Sequence, residues 1–287
     1  MKIVLTGSLG NISKPLTEIL VKEGHDVTVI STDPDKQGRI QAMGAQPAIG
    51  SISDLPFLIK TFTGKDVVYC MNPIDFTARD IHTWDRNMDN FSEAIRVTGV
   101  KRAIVLTGWI AHLLRSIHPE KRFQALPDTA VTFVRPGPFY SNFYHLKDMI
   151  RQQRMIVSNY GGEDMVAFAA PEDIAAAIAA EMNTPAAAGL HVRYVASEEL
   201  TCAQAAQIIG EAIGIPDLRW IVLPASQVQQ ALEATGVSPE AAGLLTEMQE
   251  NMHNGKAQHD YYLNRPVLGK RKLRDFAREY ADWYHQN

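Results

Sequence analysis

Residues 1–16 read MKIVLTGSLGNISKPL. An apolar run over 3–5 enters a stretch with two glycines three apart, followed by Asn11, Ser13 and Pro15. Proline is tolerated in the first turn of a helix but not deeper inside one, so the stretch marks a strand that stops and a helix that begins. Beyond it Leu16, Ile19, Leu20 and Glu23 recur at helical spacing up to Gly24, a helix-ending residue. The same unit then repeats. DVTVIS (26–31) reads as a strand, PDKQGRIQAMG (34–44) as a helix closed by Gly44, and QPAIGS (46–51) as a weak strand. SDLPFLIKTF (53–62) reads as a helix and DVVYCM (66–71) as a strand. Ile81, Trp84, Met88, Phe91 and Ile95 form the buried stripe of a long helix before Gly99. RAIVLT (102–107) and AVTFVRPG (130–137) are two further strands. Strand–helix–strand units in series force parallel strands with helices on both faces. The expected fold class is α/β: a doubly wound parallel sheet, Rossmann-like, with a smaller and mostly helical C-terminal region.

That context gives the opening glycines a purpose. The first strand–helix junction of a doubly wound sheet is where a dinucleotide sits. Gly7 makes the tight turn, Gly10 lets the backbone approach a pyrophosphate, and Ser13 stands at the third glycine position, where a small side chain permits close helix–strand packing. Gly7, Ser8, Leu9, Gly10, Asn11 and Ile12 therefore form the expected cradle, with the N-terminus of the first helix aimed at the phosphates.

Composition narrows the classes. The 287 residues carry a net charge of -4, with 46% hydrophobic and 21% charged residues, so no basic face for nucleic acid is expected. Cys70 and Cys202 do not make a disulfide framework. No uninterrupted apolar stretch reaches the ~18 residues of a membrane span. No repeat or low-complexity linker is visible. A soluble cytoplasmic protein without a metal is expected.

Later segments extend the pattern. Residues 166–182 read as a helix returning onto the sheet, capped by Asp173 or by the turn at Pro171, and LHVRYVA (190–196) reads as a strand. Thr201 caps a helix over 202–213, which Gly214 ends. From Pro216 onward the pattern is helical. LLTEMQENMH (244–253) reads as either a lid or plain core. Leu273, Phe276, Ala277, Tyr280 and Trp283/Tyr284 share a helical face that suits core, docking or a homodimer interface. The expected division is a dinucleotide-binding core at 1–137 completed by about 158–214, with 138–157 and 215–287 as the substrate-binding or lid region.

VLTGSLGNISKPLTEILVKEGHDVTVISTDPDK (4–36) resembles the start of an NmrA-like protein, one of the atypical short-chain dehydrogenase/reductases. GVKRAIVLTG (99–108), VTFVRPGPFYSNF (131–143), APEDIAAAIAAEM (170–182) and HVRYVASEELTCAQAAQIIGEAIG (191–214) resemble further family segments in the family's order. The resemblance implies a Rossmann-type domain, an NAD(P) cofactor and a small C-terminal substrate region. It covers most of 1–214 and thins beyond. Such families include quinone reductases, azoreductase-like enzymes and non-catalytic redox sensors.

The chain also departs from its relatives. Classical members use a tyrosine with a lysine four residues later, the lysine lowering the tyrosine pKa. None of the nine tyrosines here has lysine at that spacing, and the segment 108–129 is short for the usual catalytic helix. HPEKRFQAL (118–126) reads as about two turns of helix started by Pro119.

Further site residues are read from strand ends. After the second strand, Thr32 stands where NADPH-binding relatives often carry arginine. Asp33 suits either a ribose hydroxyl or a cap for the helix that Pro34 opens, and Lys36 suits either a 2'-phosphate or solvent. NADP(H) is slightly favoured over NAD(H). Met71, Asn72 and Pro73 leave the fourth strand and Thr107 and Gly108 the fifth, bordering the nicotinamide. Pro136, Gly137 and Phe139 come after the sixth, with Gly137 letting the backbone pass the ring and Phe139 and Tyr140 facing the substrate cleft. Trp109 reads either as a wall that stacks on a planar substrate or as a core or lid anchor. His112 and His118 read as proton donors or plain surface histidines. Tyr140, Trp109 and His112 are the catalytic candidates. The expected activity is NAD(P)H-dependent reduction of a quinone-like or other conjugated small molecule by direct hydride transfer. The alternative is a dinucleotide sensor acting through a protein partner.

Overall fold

The structure is a computed structural model that describes residues 1–73 and 82–286. In chain order its first half comprises β1 (Lys2–Leu5), α1 (Ser13–Lys22), β2 (Asp26–Ser31), α2 (Gln37–Ala42), β3 (Gln46–Ile49), α3 (Leu55–Phe62), β4 (Val67–Cys70), α4 (His82–Thr98), β5 (Arg102–Leu106) and β6 (Ala130–Pro136). Next come α5 (Lys147–Gln153), β7 (Met155–Ser158), β8 (Met165–Phe168), α6 (Pro171–Asn183), β9 (Gly189–Val195), β10 (Glu198–Thr201) and α7 (Cys202–Ile213). The chain ends with β11 (Arg219–Val222), α8 (Ala225–Ala234), α9 (Pro239–His253), α10 (Lys256–Leu263) and α11 (Leu273–Gln286).

Seven strands form one parallel sheet in the order β3-β2-β1-β4-β5-β6-β9. The order reverses direction between β1 and β4, and that switch point opens a crevice at the strands' carboxyl ends. Alternate residues serve the two faces. Val4, Val68, Cys70, Val105, Val131 and Phe133 face a core shared with α3 and α4, including Leu58, Met88, Phe91 and Ile95. Ile3, Leu5, Val29, Tyr69, Ile104 and Val134 face the other, with Leu16 and Leu20 of α1 and Ile174 and Ile178 of α6. Both faces being covered explains why the strands read as unbroken apolar runs. Ile81, expected at the head of the α4 stripe, lies outside the described residues. No described helix is long and apolar enough to cross a membrane.

The Rossmann-like fold and the helical C-terminal region are as expected, but several local readings change. Residues 165–168 form a strand, and only Pro171 begins the helix, with extended Ala170 as its N-cap and no side-chain cap. Asp173 instead accepts from the Ser197 hydroxyl at 2.6 Å and from the Lys270 and Arg271 N–H groups, fastening the approach to α11. The two turns expected over 118–126 shrink to a 3-10 turn at Lys121–Ala125. Four short strands in the second half pair as two small sheets, β8 antiparallel to β10 and β7 parallel to β11. Their four-residue length carries too little alternation to be seen in sequence. The α7 cap is as read: Thr201 and Gln204 form a reciprocal capping box, and Gly214 ends the helix at φ +78°.

Candidate dinucleotide and acceptor site

Gly7 and Ser8 both turn the backbone to positive φ, +86° and +53°. A Cβ on Gly7 would lie 2.4 Å from the Met71 methyl and 2.5 Å from Ser13 Oγ. Gly7 and Ser13 are therefore matched: serine fits at the third glycine position because its neighbour has no side chain. The Ser13 hydroxyl, buried, donates to the Thr6 carbonyl at 2.9 Å. Thr6 in turn donates to the Met71 carbonyl at 2.8 Å and accepts from the Met71 N–H, tying the first loop to the end of β4. Ser8 reaches the other neighbour, its N–H donating to the Ile30 carbonyl and its hydroxyl to Ser31 Oγ at 2.9 Å. The loop is thus fixed from both sides of the switch point. Gly10 closes the turn by donating to the Gly7 carbonyl at 3.1 Å. The N–H groups of Leu9, Asn11 and Ile12 take no acceptor among the described residues, and Ile12, as N-cap of α1, makes no side-chain cap bond. Donors left open at a helix N-terminus suit a pyrophosphate.

At the end of β2, Asp33 caps the turn that Pro34 opens: its carboxylate accepts from the Asp35 N–H at 3.0 Å at the head of the 3-10 turn Pro34–Lys36. Lys36 Nζ stands 3.8 Å from the same carboxylate, so the two candidate selectors of the ribose end are neighbours, and Thr32 beside them is exposed.

Leu9, Met71 and Phe139 each pack as partly buried apolar side chains against the core on the α1–α6 side, as does Leu106, which sequence reading passed over. They stand at the ends of β1, β4, β6 and β5. Asn72 departs from its expected place beside the nicotinamide. Its amide donates to the Trp84 carbonyl at 2.7 Å and its side-chain oxygen accepts from Asn87, so the side chain is committed to α4. Pro73 is exposed, and residues 74–81 lie outside the described residues. Gly108 sits at φ +138° with open space beside it. Pro136 closes β6. At Gly137 a Cβ would lie 1.5 Å from the Ala167 carbonyl oxygen, so its bareness admits β8.

The aromatic candidates are deeper than expected. Tyr140 is fully buried rather than facing a cleft. Its ring packs on Phe276, and its hydroxyl stands between Glu198 and the Arg271 carbonyl at 3.4 and 3.3 Å. Burial, and then Glu198, push its pKa far up. Trp109, at 3% exposure, meets Tyr261 of α10 edge-on at 5.5 Å between centroids, which is the anchor reading of the ring. Its indole N–H is buried with no acceptor among the described residues, an unusual state for a polar group.

A polar cluster on the α4 side is the part that sequence reasoning missed. Arg135 of β6, its side chain 7% exposed, holds Glu120 through two bonds of 2.9 and 2.6 Å. Its Nη1 donates to the Tyr194 hydroxyl of β9 at 3.0 Å and to Asp260 Oδ2 of α10 at 3.1 Å. The Tyr194 hydroxyl also donates to Asp260. Thr107 Oγ1 donates to Glu120 at 3.1 Å. His112 places Nε2 3.9 Å from Asp260 Oδ2. Burial, and then the Arg135 guanidinium, hold the His112 imidazole below its ordinary pKa, against the opposing pull of Asp260 and Glu120. Arg135 was visible in RPGPF, but its partners lie 15, 59 and 125 residues away. No local spacing encodes them.

A family model described as NAD(P)H-binding matches residues 7–121. Among curated proteins, an NAD(P)H azoreductase of Xenophilus azovorans is 22% identical over 252 residues, covering 86% of this chain and 85% of that protein. A (4-alkanoyl-5-oxo-2,5-dihydrofuran-3-yl)methyl phosphate reductase of Streptomyces griseus is 24% identical and covers 98% of each. Among solved structures, an Escherichia coli NADPH-dependent quinone oxidoreductase complexed with NADPH superposes with a TM-score of 0.78 at 18% identity, covering 97% of this chain and 99% of that one. The Citrobacter sp. triphenylmethane reductase complexed with NADP(H) gives 0.74 at 18% identity with the same coverage. The fold is shared with these dinucleotide-bound structures.

Proposed function

We propose that this chain, whose residues 7–121 match a family model described as NAD(P)H-binding, is an oxidoreductase that reduces a quinone-like or other conjugated small molecule by direct hydride transfer. The observation that carries the dinucleotide part is the first loop. Two successive positive-φ residues and three N–H groups without acceptors open at the switch point, where pyrophosphate binding needs them. Leu9 through Ile12 would hold the phosphates, and Met71, Thr107, Gly108 and Phe139 would border the nicotinamide. Lys36 would favour NADP(H) over NAD(H), in keeping with the cofactors of the quinone oxidoreductase and the triphenylmethane reductase. When bound, the reduced nicotinamide supplies hydride. The chain's own task is then to orient the acceptor, exclude water and supply a proton.

The missing tyrosine–lysine pair fits an acceptor that is already electrophilic. Residues 138–157 and 215–287 are assigned to a substrate-binding or lid region. The relatives' names, an azoreductase and a reductase of an unsaturated lactone phosphate, support this substrate class. A cytoplasmic, small-molecule role belongs to the same reading. One observation favours the sensor alternative: the aromatic candidates Tyr140 and Trp109 are buried in the core and do not present their rings to an acceptor.

Stopped-flow mixing of the protein with NADPH or NADH and a panel of quinones, azo dyes and enones tests the proposal. Reduction with a primary isotope effect from deuterium at the transferred C4 position is expected. Saturable nucleotide binding without turnover of any acceptor would refute the reductase and favour the sensor.

A further inference from the structure

We propose that Asp260 is a positioning residue for this reduction: from α10 its carboxylate stands within ion-pair distance of His112 at the carboxyl edge of the sheet and favours the imidazolium, which gives up the proton needed after hydride transfer. The inference rests on the reductase reading and adds to it the proton donor's support.

The geometry is specific. Asp260 Oδ2 gathers three groups from three elements: Tyr194 O–H from β9, Arg135 Nη1–H from β6 at 3.1 Å and His112 Nε2 from the loop after β5 at 3.9 Å. Its other oxygen accepts from Asn264 Nδ2 at 3.2 Å. The carboxylate is thereby held by strand-borne donors although it sits on a peripheral helix. His112 lies five residues after Thr107, and its side chain is 23% exposed, so the ring is sheltered yet reachable. The charged groups facing it are Asp260 of α10 and Glu120 of the β5–β6 connection, which favour the imidazolium, and Arg135 of β6, which opposes it. Tyr194 acts on it only through Asp260. The carboxylate faces Nε2, so the second ring nitrogen, Nδ1, is the one the proposal gives to the acceptor.

The step balances. The acceptor receives a hydrogen and its electron pair from the reduced dinucleotide, which is oxidised, and becomes an anion. An N–H bond of the His112 imidazolium breaks, an O–H bond forms on that anion, and solvent reprotonates the neutral imidazole.

The test is the titration of His112, monitored by NMR of histidine-labelled NADPH-free and NADP-bound protein and assigned with His112→Gln. In Asp260→Asn the lost negative charge should move the His112 midpoint down by about one pH unit. A purely structural role gives the opposite sign, since a loosened α10 would rehydrate the ring and raise the midpoint. An unchanged or raised midpoint overturns the proposal. With menadione as acceptor, kcat should fall as pH rises through the His112 midpoint, and Asp260→Asn should shift that limb downward with nucleotide affinity unchanged. His112→Gln should abolish the limb, and a limb that survives in that variant also overturns the proposal. Wild-type protein that reduces no acceptor while the titration still shifts would sink the reductase reading but not the Asp260–His112 coupling.

Discussion

Replacing Gly10 by valine should separate nucleotide binding from folding, and the structure says by how much. A Cβ at Gly10 meets a single atom within 4 Å, the Gly7 carbonyl oxygen at 3.1 Å, and Gly10 does not occupy a left-handed conformation. The free protein then needs only a few tenths of an ångström of adjustment, at about 1 kcal/mol. For a chain of this size that lowers Tm by roughly 2–4 °C. The valine methyls would stand over the loop where Leu9, Asn11 and Ile12 present their N–H groups. Excluding the pyrophosphate from two such donors, each worth about 1.5 kcal/mol to a charged acceptor, costs about 3 kcal/mol. Kd for NADPH should therefore rise about 100-fold. Gly7→Ala is the contrasting variant. It puts a side chain at φ +86° and within 2.5 Å of Ser13 Oγ, so its damage should appear first in Tm, with a loss of about 2–3 kcal/mol. Thermal melts of the free proteins and fluorescence titration with NADPH and NADH measure both quantities. A Gly10→Val protein that binds nucleotide like wild type would refute the proposed cradle. One that unfolds as badly as Gly7→Ala would refute the packing argument.

Three further outcomes are expected from other parts of the molecule. Lys36→Glu should weaken NADPH about tenfold more than NADH, with the gap closing at high salt, because a surface charge acts on a 2'-phosphate through screened electrostatics; equal weakening of both nucleotides in the titration would remove Lys36 as selector. Arg135→Met should cost about 3–5 kcal/mol in urea unfolding by stranding Glu120 and Asp260 without their shared cation, and adding Glu120→Gln should recover part of the loss. Glu181, mostly buried, is penalised by that burial but is stabilised as an anion by Arg193, Thr132 and Arg102, and its pKa ends below the ordinary glutamate value. A depressed folded pKa means stability that is full above the unfolded value of ~4.5 and lost as pH falls through the folded one, so melts below about pH 5 should flatten in Glu181→Gln relative to wild type.

How the site divides between local and long-range information can be read from the same residues. The first loop was legible because its parts are consecutive. Gly7, Gly10, Ser13 and Pro15 each impose a backbone or packing condition within one turn, and repeated strand–helix units place that turn at the sheet's switch point. Thr201 and Gly214 were legible for the same reason, since a cap bonds to residues three or four away. The ambiguity at Asp33 was local too, but only coordinates show that its carboxylate caps the turn and faces Lys36.

Sequence alone determined the parallel sheet, the alternation of strands and helices that builds it and the glycine-bearing turn at its first junction, because hydrophobic periodicity and turn chemistry act between near neighbours. Only the tertiary structure decided what lies across the crevice. It buried Tyr140 against α11, anchored Trp109 on Tyr261, turned Asn72 into α4 and filled the space beside Gly137 with the Ala167 carbonyl. It also joined Arg135 to Glu120, Tyr194 and Asp260, drawn from a connector, a strand and a C-terminal helix. Charges and aromatic rings pair by proximity in space, and a chain that closes its sheet with strands and helices from its second half creates those proximities only when it folds.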